Sequence, residues 1–387
     1  MGTVTMYFHH LHFYVRDAAA WKEWFIQKLG FELIAVTVDA EERAGELTPV
    51  QLQQDGIEIW LSDAEHSTSA RQYLRQHPPG LVDIAFATDQ FDTVVKRARQ
   101  QGAQFLTPVT AYGHNQRHCQ IAGWADIRHT VLEVSAQWIG EHQPHIPTHL
   151  PSTAQSPSQP TGNLSQRAQT AWLSFIDHVV INVPQGELRA AVTWYQRVFG
   201  LQQGQSFEIT TDHSGLCSQV LIHPEGTLQL PINEPSSANS QVQEFLHHNR
   251  GAGVQHVALR SQNAVGAIAH FRHQGLKLIN VPQTYYDKLH DRPGCPLHDL
   301  SAVSRQQLLL DWKPSGEEGM LLQTFTEPIF GEPTFFFEII ERGQYYRDGQ
   351  TKTAEGFGEG NFQALFEAIE RAQMERGSLE RGSLERK

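Results

Sequence analysis

A chain of 387 residues, 40% hydrophobic and 19% charged, has the composition of a soluble globular protein and length enough for two domains, each with its own core. Its formal net charge of −12 argues against a nucleic-acid partner and against an anionic membrane surface. The three cysteines, Cys119, Cys217 and Cys295, are odd in number and widely spaced, so no disulfide framework is implied and a reducing, cytoplasmic setting fits.

The N-terminus, Met1 to Tyr7, has no basic segment leading into an apolar one, so no secretory leader is expected. No apolar run approaches the ~20 residues that a bilayer span needs. Phe8 to Val15 alternates like a strand and leads through Asp17 into a helix on which Trp21, Trp24, Phe25 and Leu29 keep helical spacing. Gly80 to Phe86 reads as a further strand, followed by a helix with Phe91, Val94, Val95 and Ala98, then Gly102, a strand and Pro108. Residues 141–170 are rich in Pro, Ser, Gln and Thr with almost nothing apolar, and read as a linker. Beyond it the layout returns. Phe175 to Val183 is a strand, and Ala191, Trp194, Tyr195 and Val198 share one helix face. Gly253 to Leu259 repeats the Gly80 unit, with Val265, Ile268 and Ala269 on its helix, then Gly275, a strand and Pro282. The chain is thus an internal duplication, each half carrying two strand-helix-strand modules. This divides it into residues 1–140, the linker, residues 171–375, and a low-complexity tail at 376–387 that carries Arg-Gly-Ser-Leu-Glu twice.

The chemistry centres on Pro333-Thr334-Phe335-Phe336-Phe337-Glu338-Ile339-Ile340, which reads as a strand buried on both faces. Phe336 alternates with Phe335 and Phe337, so only one side of it can face a cavity. Glu338 sits in its middle with no neighbouring cation, and a buried unpaired carboxylate costs several kcal/mol unless something neutralises it. A divalent metal would do so. Two histidines occupy matching strand settings: His178 in Asp177-His178-Val179-Val180 and His256 in Gln255-His256-Val257-Ala258. A histidine in an apolar strand is more often a core residue than a ligand. Two of them with one carboxylate, at equivalent places of a repeat, make the facial triad of non-heme Fe(II) oxygenases. Overlaying the halves sets His10 opposite His178, Asp83 opposite His256 and Glu133 opposite Glu338, so the first half reads as a structural partner that has lost its ligand set. His9, His12, His247 and His248 read as surface residues or as neighbours of the site. Near the end, Phe362, Leu365, Phe366 and Ile369 fall at i, i+3, i+4 and i+7 behind Gly356, Gly358 and Gly360, which suits either a helix packed on the core or a lid hinged on glycines.

Seven motifs occur in order across the second half: Asp177-His178-Val179-Val180; Pro231-Ile232-Asn233-Glu234-Pro235; Gly251-Ala252-Gly253-Val254-Gln255-His256; Tyr285-Tyr286-Asp287; Leu321-Leu322-Gln323-Thr324-Phe325-Thr326; Phe335 to Ile340; and Gly356-Phe357-Gly358-Glu359-Gly360-Asn361-Phe362. Together they resemble the 4-hydroxyphenylpyruvate dioxygenases of the vicinal-oxygen-chelate superfamily, over nearly all of Ile176 to Gly377; the first half matches more loosely. The resemblance implies an α+β fold of duplicated βαβββ modules forming two open barrels, the second one active, and one Fe(II) per chain on His178, His256 and Glu338. It implies catalytic roles for Gln255, Gln323, Phe336 and Phe357, and substrate contacts from Ser218, Asn233, Gln241, Phe325, Asn361, Phe362 and Leu365. The implied reaction takes 4-hydroxyphenylpyruvate and O₂ to homogentisate and CO₂, in tyrosine breakdown or in quinone and tocopherol supply, by a cytoplasmic homo-oligomer, a dimer or tetramer.

Three rivals share this architecture. A 4-hydroxymandelate synthase resembles it in substrate and triad but tends to carry a smaller aliphatic residue where Phe357 stands. An extradiol catechol dioxygenase would want a further histidine poised over the ring, where glutamines stand here. A ligand-sequestering protein on this fold would lack the triad.

Overall fold

The computed structural model describes residues 4–34, 48–112, 116–142, 171–211, 214–289, 291–313 and 319–362, and beyond them residues 364, 366, 368–370 and 373. Almost all of the linker, the whole 376–387 tail and Leu365 lie outside the described residues.

The first half runs β1 (Tyr7–Val15), α1 (Ala18–Leu29), β2 (Glu32–Leu33), β3 (Val50–Gln54), β4 (Ile57–Asp63), α2 (Thr68–Gln76), β5 (Gly80–Thr88), α3 (Phe91–Gln100), β6 (Phe105–Tyr112), β7 (Gln116–Ala122), β8 (Arg128–Glu133) and α4 (Ala136–His142). The second runs β9 (Phe175–Asn182), α5 (Leu188–Phe199), β10 (Gln202–Thr210), β11 (Gly215–Ile222), β12 (Gln229–Pro235), α6 (Gln241–Asn249), β13 (Gly253–Arg260), α7 (Ala264–His273), α8 (Gln283–Leu289), α9 (Ser301–Arg305), β14 (Leu309–Trp312), β15 (Met320–Phe325) and β16 (Phe336–Arg342), then a hairpin, β17 (Gln344–Arg347) and β18 (Gln350–Thr353).

Each half makes one eight-stranded sheet curled into a half-barrel, in the order β2-β3-β4-β1-β5-β8-β7-β6 and β10-β11-β12-β9-β13-β16-β15-β14. The two orders are the same permutation. In every module the opening strand lies parallel to the fourth, and the opening strands of paired modules meet antiparallel at the centre. The repeat extends to helix ends. Asp17 caps α1 by accepting from the Ala20 N–H at 2.9 Å. Both α1 and α5 stop at a glycine in the left-handed region, Gly30 (φ 77°) and Gly200 (φ 74°).

A single hydrophobic core spans both halves. Phe13 stands edge-on to Phe335 with ring centroids 5.1 Å apart, Trp21 to Phe330 at 4.5 Å, and Phe86 to Phe199 at 5.1 Å. His129 of the first half lies 3.0 Å from the Tyr195 hydroxyl of the second. Along β16, Phe335, Phe337 and Ile339 enter this core, while Phe336 and Glu338 point the other way, into a cavity inside the second half-barrel. The fold thereby spaces Glu338 and a wall aromatic on one face of one strand.

Candidate metal centre and its cavity

Two irregularities in the β9–β13 pairing build the site. Val254 pairs with Ile181 and His256 with Val180, so β13 carries an extra residue at Gln255. Ala258 pairs with His178 and Leu259 with Ile176, so β9 carries one at Asp177. A bulge re-aims the side chains beside it. Gln255 and His256, consecutive in sequence, both line the cavity, and Asp177 reaches His178.

His178, His256 and Glu338 each offer a ligand atom within 4.8 Å of the others, the only such group of three among the described residues. Glu338 Oε2 lies 3.3 Å from His178 Nε2 and 3.7 Å from His256 Nε2. The opposite ring nitrogens are engaged by acceptors: His178 Nδ1 donates to Asp177 Oδ1 at 2.9 Å, and His256 Nδ1 to Gln255 Oε1 at 3.2 Å. In the neutral tautomer both Nε2 lone pairs therefore face a carboxylate oxygen, and three electron-rich atoms converge on one point. Such a donor set suits a divalent cation, with the imidazole orientation fixed from behind. Without a cation a proton partly takes that place. Burial pushes the His178 imidazole down, but the facing Glu338 and Asp177 carboxylates outweigh it and raise it to about 8. Burial, and then His178, hold His256 well below its ordinary value.

Behind His178 the support is ionic. Burial would raise the Asp177 carboxyl, yet the guanidinium groups of Arg342 and Arg260 hold it well below the usual range. Arg342 grips both Asp177 oxygens, Nε to Oδ2 at 2.9 Å and Nη2 to Oδ1 at 2.8 Å, and Arg260 Nε donates to Oδ2 at 2.8 Å. The remaining Arg342 amine, Nη1, donates to the Gly356 carbonyl at 2.7 Å, tying this network to the glycine-rich turn over the cavity.

On the far side, Gln323 Nε2 donates to Glu338 Oε1 at 3.1 Å, and Asn361 Nδ2 donates to Gln323 Oε1 at 3.0 Å. Gly358 passes close to this amide: a Cβ there would lie 1.8 Å from Gln323 Oε1, and its φ of +74° favours glycine independently.

Of the residues singled out in the sequence, Ser218, Asn233, Gln241, Gln255, Gln323, Phe325, Phe336, Phe357 and Phe362 all line this cavity beside the triad. Ser218 and Asn233 are direct cross-strand partners on β11 and β12. Phe336 stacks on His256 (4.8 Å), and Phe357 stands edge-on to His178 (5.1 Å). Asn361 joins through its bond to Gln323, not through the wall. Leu365 lies outside the described residues. Where described, the segment from Phe362 to Gln373 is helical; Phe366 packs in a small cluster with Leu216, Val242, Phe245 and Leu246, separate from the main core. Phe362, Phe366 and Ile369 line the cavity, so the same helix both packs and covers.

Phe207 and Ile209 of β10 also line it, and Phe207 stands edge-on to Phe362 at 5.2 Å. Neither was singled out, although they are the only large apolar side chains of Gln202–Thr210 and stand two apart, the spacing of one strand face.

The first half departs from the sequence overlay. Ala258, which pairs with Glu338, corresponds to Ala85; the β5–β8 register of Asp83 with Arg128 and Phe86 with Val131 sets Thr130 opposite Ala85. The third ligand position is therefore held by Thr130, not by Glu133, which lies three residues further on and pairs with Arg117 through bonds of 2.7 and 2.8 Å. Overlaying by residue type had slipped the strand by three. His10 stacks on Trp60 (3.6 Å), and Asp83 is taken up by the Thr130 N–H at 2.8 Å, the Thr130 hydroxyl and Gln120 Nε2 at 2.7 Å. His9 and His12 are half-buried rather than exposed; burial lowers them to about 4 and about 3, and His12 bonds Ser62 at 2.9 Å.

Residues 7–128 and 175–291 each match the family model of the glyoxalase, bleomycin resistance protein and dioxygenase superfamily. The chain is 32% identical over 380 residues to 4-hydroxyphenylpyruvate dioxygenase of Danio rerio, covering 95% of this chain and 90% of that protein. It is 34% identical over 322 residues to the 4-hydroxyphenylpyruvate dioxygenase of Legionella pneumophila, covering 83% and 84%. Among solved structures, a triple mutant of 4-hydroxymandelate synthase from Streptomyces coelicolor is similar with a TM-score of 0.76 at 25% identity, covering 96% of this chain and 100% of that one.

Proposed function

The chain belongs to the 4-hydroxyphenylpyruvate dioxygenase family of that superfamily, and from this we propose that it converts 4-hydroxyphenylpyruvate and O₂ to homogentisate and CO₂ on one Fe(II) held by His178, His256 and Glu338. The observation that carries the reading is the convergence of two imidazoles and one carboxylate in a cavity walled by phenylalanines and neutral amides. Fe(II) would be held there by His178, His256 and Glu338 and would supply the redox chemistry. The reaction balances without a second keto acid: the substrate's own carboxylate leaves as CO₂, and both oxygen atoms of O₂ enter homogentisate, one in the new carboxylate and one on the ring.

The chain's own work is placement and exclusion of water. Phe336 and Phe357, set against the two imidazoles, form walls on which an aromatic ring can stack close to the ligands. The cross-strand pair Ser218 and Asn233, with Gln241, offers uncharged donors and acceptors for a phenol. Gln255 and Gln323 border the triad and hold the keto-acid end. No lysine or arginine lines the cavity among the described residues, which fits a substrate whose anionic end meets the metal. Phe362, Phe366 and Ile369 close the cavity over the ring.

His178 and His256 are the only imidazoles on the cavity wall among the described residues, and both are turned to Glu338, so no histidine remains for extradiol acid-base chemistry. Phe357 beside His178 favours homogentisate over 4-hydroxymandelate as product. We assign the enzyme to tyrosine and phenylalanine catabolism, as a cytoplasmic homo-oligomer, on the family alone; no described helix is long and apolar enough to cross a membrane. The test is aerobic incubation of Fe(II)-loaded protein with 4-hydroxyphenylpyruvate and identification of the product by mass and retention. Homogentisate is the expected product; 4-hydroxymandelate, or none from iron-replete protein, rejects the assignment.

A further inference from the structure

The polar groups behind Glu338 can be satisfied in one direction only. A carboxylate accepts and does not donate, so Gln323 must turn its Nε2 to Glu338 Oε1, at 3.1 Å. That points Gln323 Oε1 at Asn361, whose Nδ2 must donate to it, at 3.0 Å. Asn361 Oδ1 is then left facing the Tyr285 hydroxyl at 2.7 Å, and the phenol must be the donor. The Tyr285 oxygen accepts the Leu310 N–H at 2.8 Å, and its single hydrogen has two acceptors within reach, the Leu310 carbonyl at 3.1 Å and Asn361 Oδ1 at 2.7 Å, of which Asn361 is the nearer.

We propose that Tyr285, on α8, is a positioning residue of the metal centre: anchored on edge strand β14, its hydroxyl holds two amides in series in the one orientation that turns Gln323 Nε2 to Glu338. The proposal rests on the reading that His178, His256 and Glu338 hold a metal. Burial pushes the Tyr285 phenol up, so it stays a donor throughout the working range. The surroundings hold the same geometry. Gly360 N–H donates to Asp311 Oδ2 at 2.9 Å, and Asn361 N–H to the Gly358 carbonyl at 2.8 Å, so strand β14 carries both the phenol and the turn that presents Asn361. The next residue is a built-in comparison: the Tyr286 hydroxyl donates to the Leu308 carbonyl at 3.2 Å, and Tyr286 does not line the cavity.

The experiment titrates the metal-free full-length chain with Co(II) alone under nitrogen, following visible absorption, for the wild type, Tyr285→Phe, Tyr286→Phe, Asn361→Ala, Asn361→Asp, Gln323→Ala and the double variant Tyr285→Phe/Gln323→Ala. Thermal midpoints are read alongside, and kcat and KM after iron loading. The proposal expects Tyr285→Phe to weaken cobalt about tenfold, the low end of effects from groups that orient ligands, with kcat falling more than KM changes. Tyr286→Phe should bind as the wild type does. Asn361→Asp should be weaker than Asn361→Ala, because a carboxylate cannot donate to Gln323 and turns its Oε1 towards Glu338. In the double variant the Tyr285 effect should vanish, since the link it orients is gone. Wild-type cobalt affinity in Tyr285→Phe, an Asn361→Asp no weaker than Asn361→Ala, or additive losses in the double variant would overturn it. Should Tyr285→Phe not fold, the two Asn361 variants decide. A wild type that binds cobalt in this pattern but yields no homogentisate would overturn the proposed reaction and leave the relay standing.

Discussion

Asp177 and His178 are adjacent in sequence, yet the carboxylate of one accepts a 2.9 Å hydrogen bond from the imidazole Nδ1 of the other. A regular strand sends neighbouring side chains to opposite faces; the bulge at Asp177 brings these two together and leaves Nε2 free for the cavity. Asp177→Asn removes the charge that buried Arg342 and half-buried Arg260 share, so about 3–5 kcal/mol of stability should go with it. Metal affinity should drop about 10- to 100-fold. Chemical denaturation and cobalt titration of the same variant check the two effects together.

Gly358 and Gly331 both adopt positive φ, +74° and +81°, but only Gly358 has a side chain within reach of an added Cβ. Alanine at Gly331 should cost about 1–2 kcal/mol of left-handed strain and leave turnover alone. Alanine at Gly358 adds a collision with Gln323, so kcat should fall at least as far as in Gln323→Ala. Steady-state rates of the two variants at saturating substrate compare them directly.

Phe207 touches Phe357 and Phe362 and belongs to the cavity wall rather than to the main core. Its replacement by alanine should raise KM by about five- to tenfold, the worth of about 1 kcal/mol of aromatic contact, while the unfolding midpoint moves little. A large loss of stability with unchanged KM would place the residue in the packing instead.

His129 reports on the junction of the halves. Burial holds its pKa near 4, against an ordinary 6.5, and it bridges the Ile84 carbonyl and the Tyr195 hydroxyl. Above pH 6.5 the group is neutral in both folded and unfolded chains and contributes no pH dependence. Between pH 6.5 and 4 the unfolded chain takes a proton that the folded one refuses. Stability should therefore fall with pH by about 1.4 kcal/mol per unit, about 3 kcal/mol in all. Urea unfolding at pH 7.5, 5.5 and 4.5 should show a steeper decline for the wild type than for His129→Gln, which lacks that proton site.

The duplication, the strand settings of His178 and His256 and the isolation of Glu338 were legible because they rest on period, repeat and charge, which a sequence displays directly. The bulges were not. Nothing local marks Asp177 or Gln255 as an extra residue, since a bulge is a relation between two strands far apart in the chain. Glu133 was misplaced for the same reason: residue type suggested it, and only pairing with β5 shows Thr130 in the third position. Asn361, Gln323 and Tyr285 lie far apart in sequence, and their series of hydrogen bonds exists only once β14 and β15 stand side by side. Phe207 could have been found from the period of β10, had its neighbours not been so polar.

We propose one metal site per chain, on the two imidazoles and one carboxylate of the second half alone. Anaerobic Fe(II) titration of the full chain, with bound metal counted by elemental analysis, tests it for the wild type, Glu338→Ala and Asp83→Asn. One iron per chain in the wild type, an unchanged count in Asp83→Asn and none retained in Glu338→Ala is the predicted result. Two irons per chain, or full retention in Glu338→Ala, would contradict it.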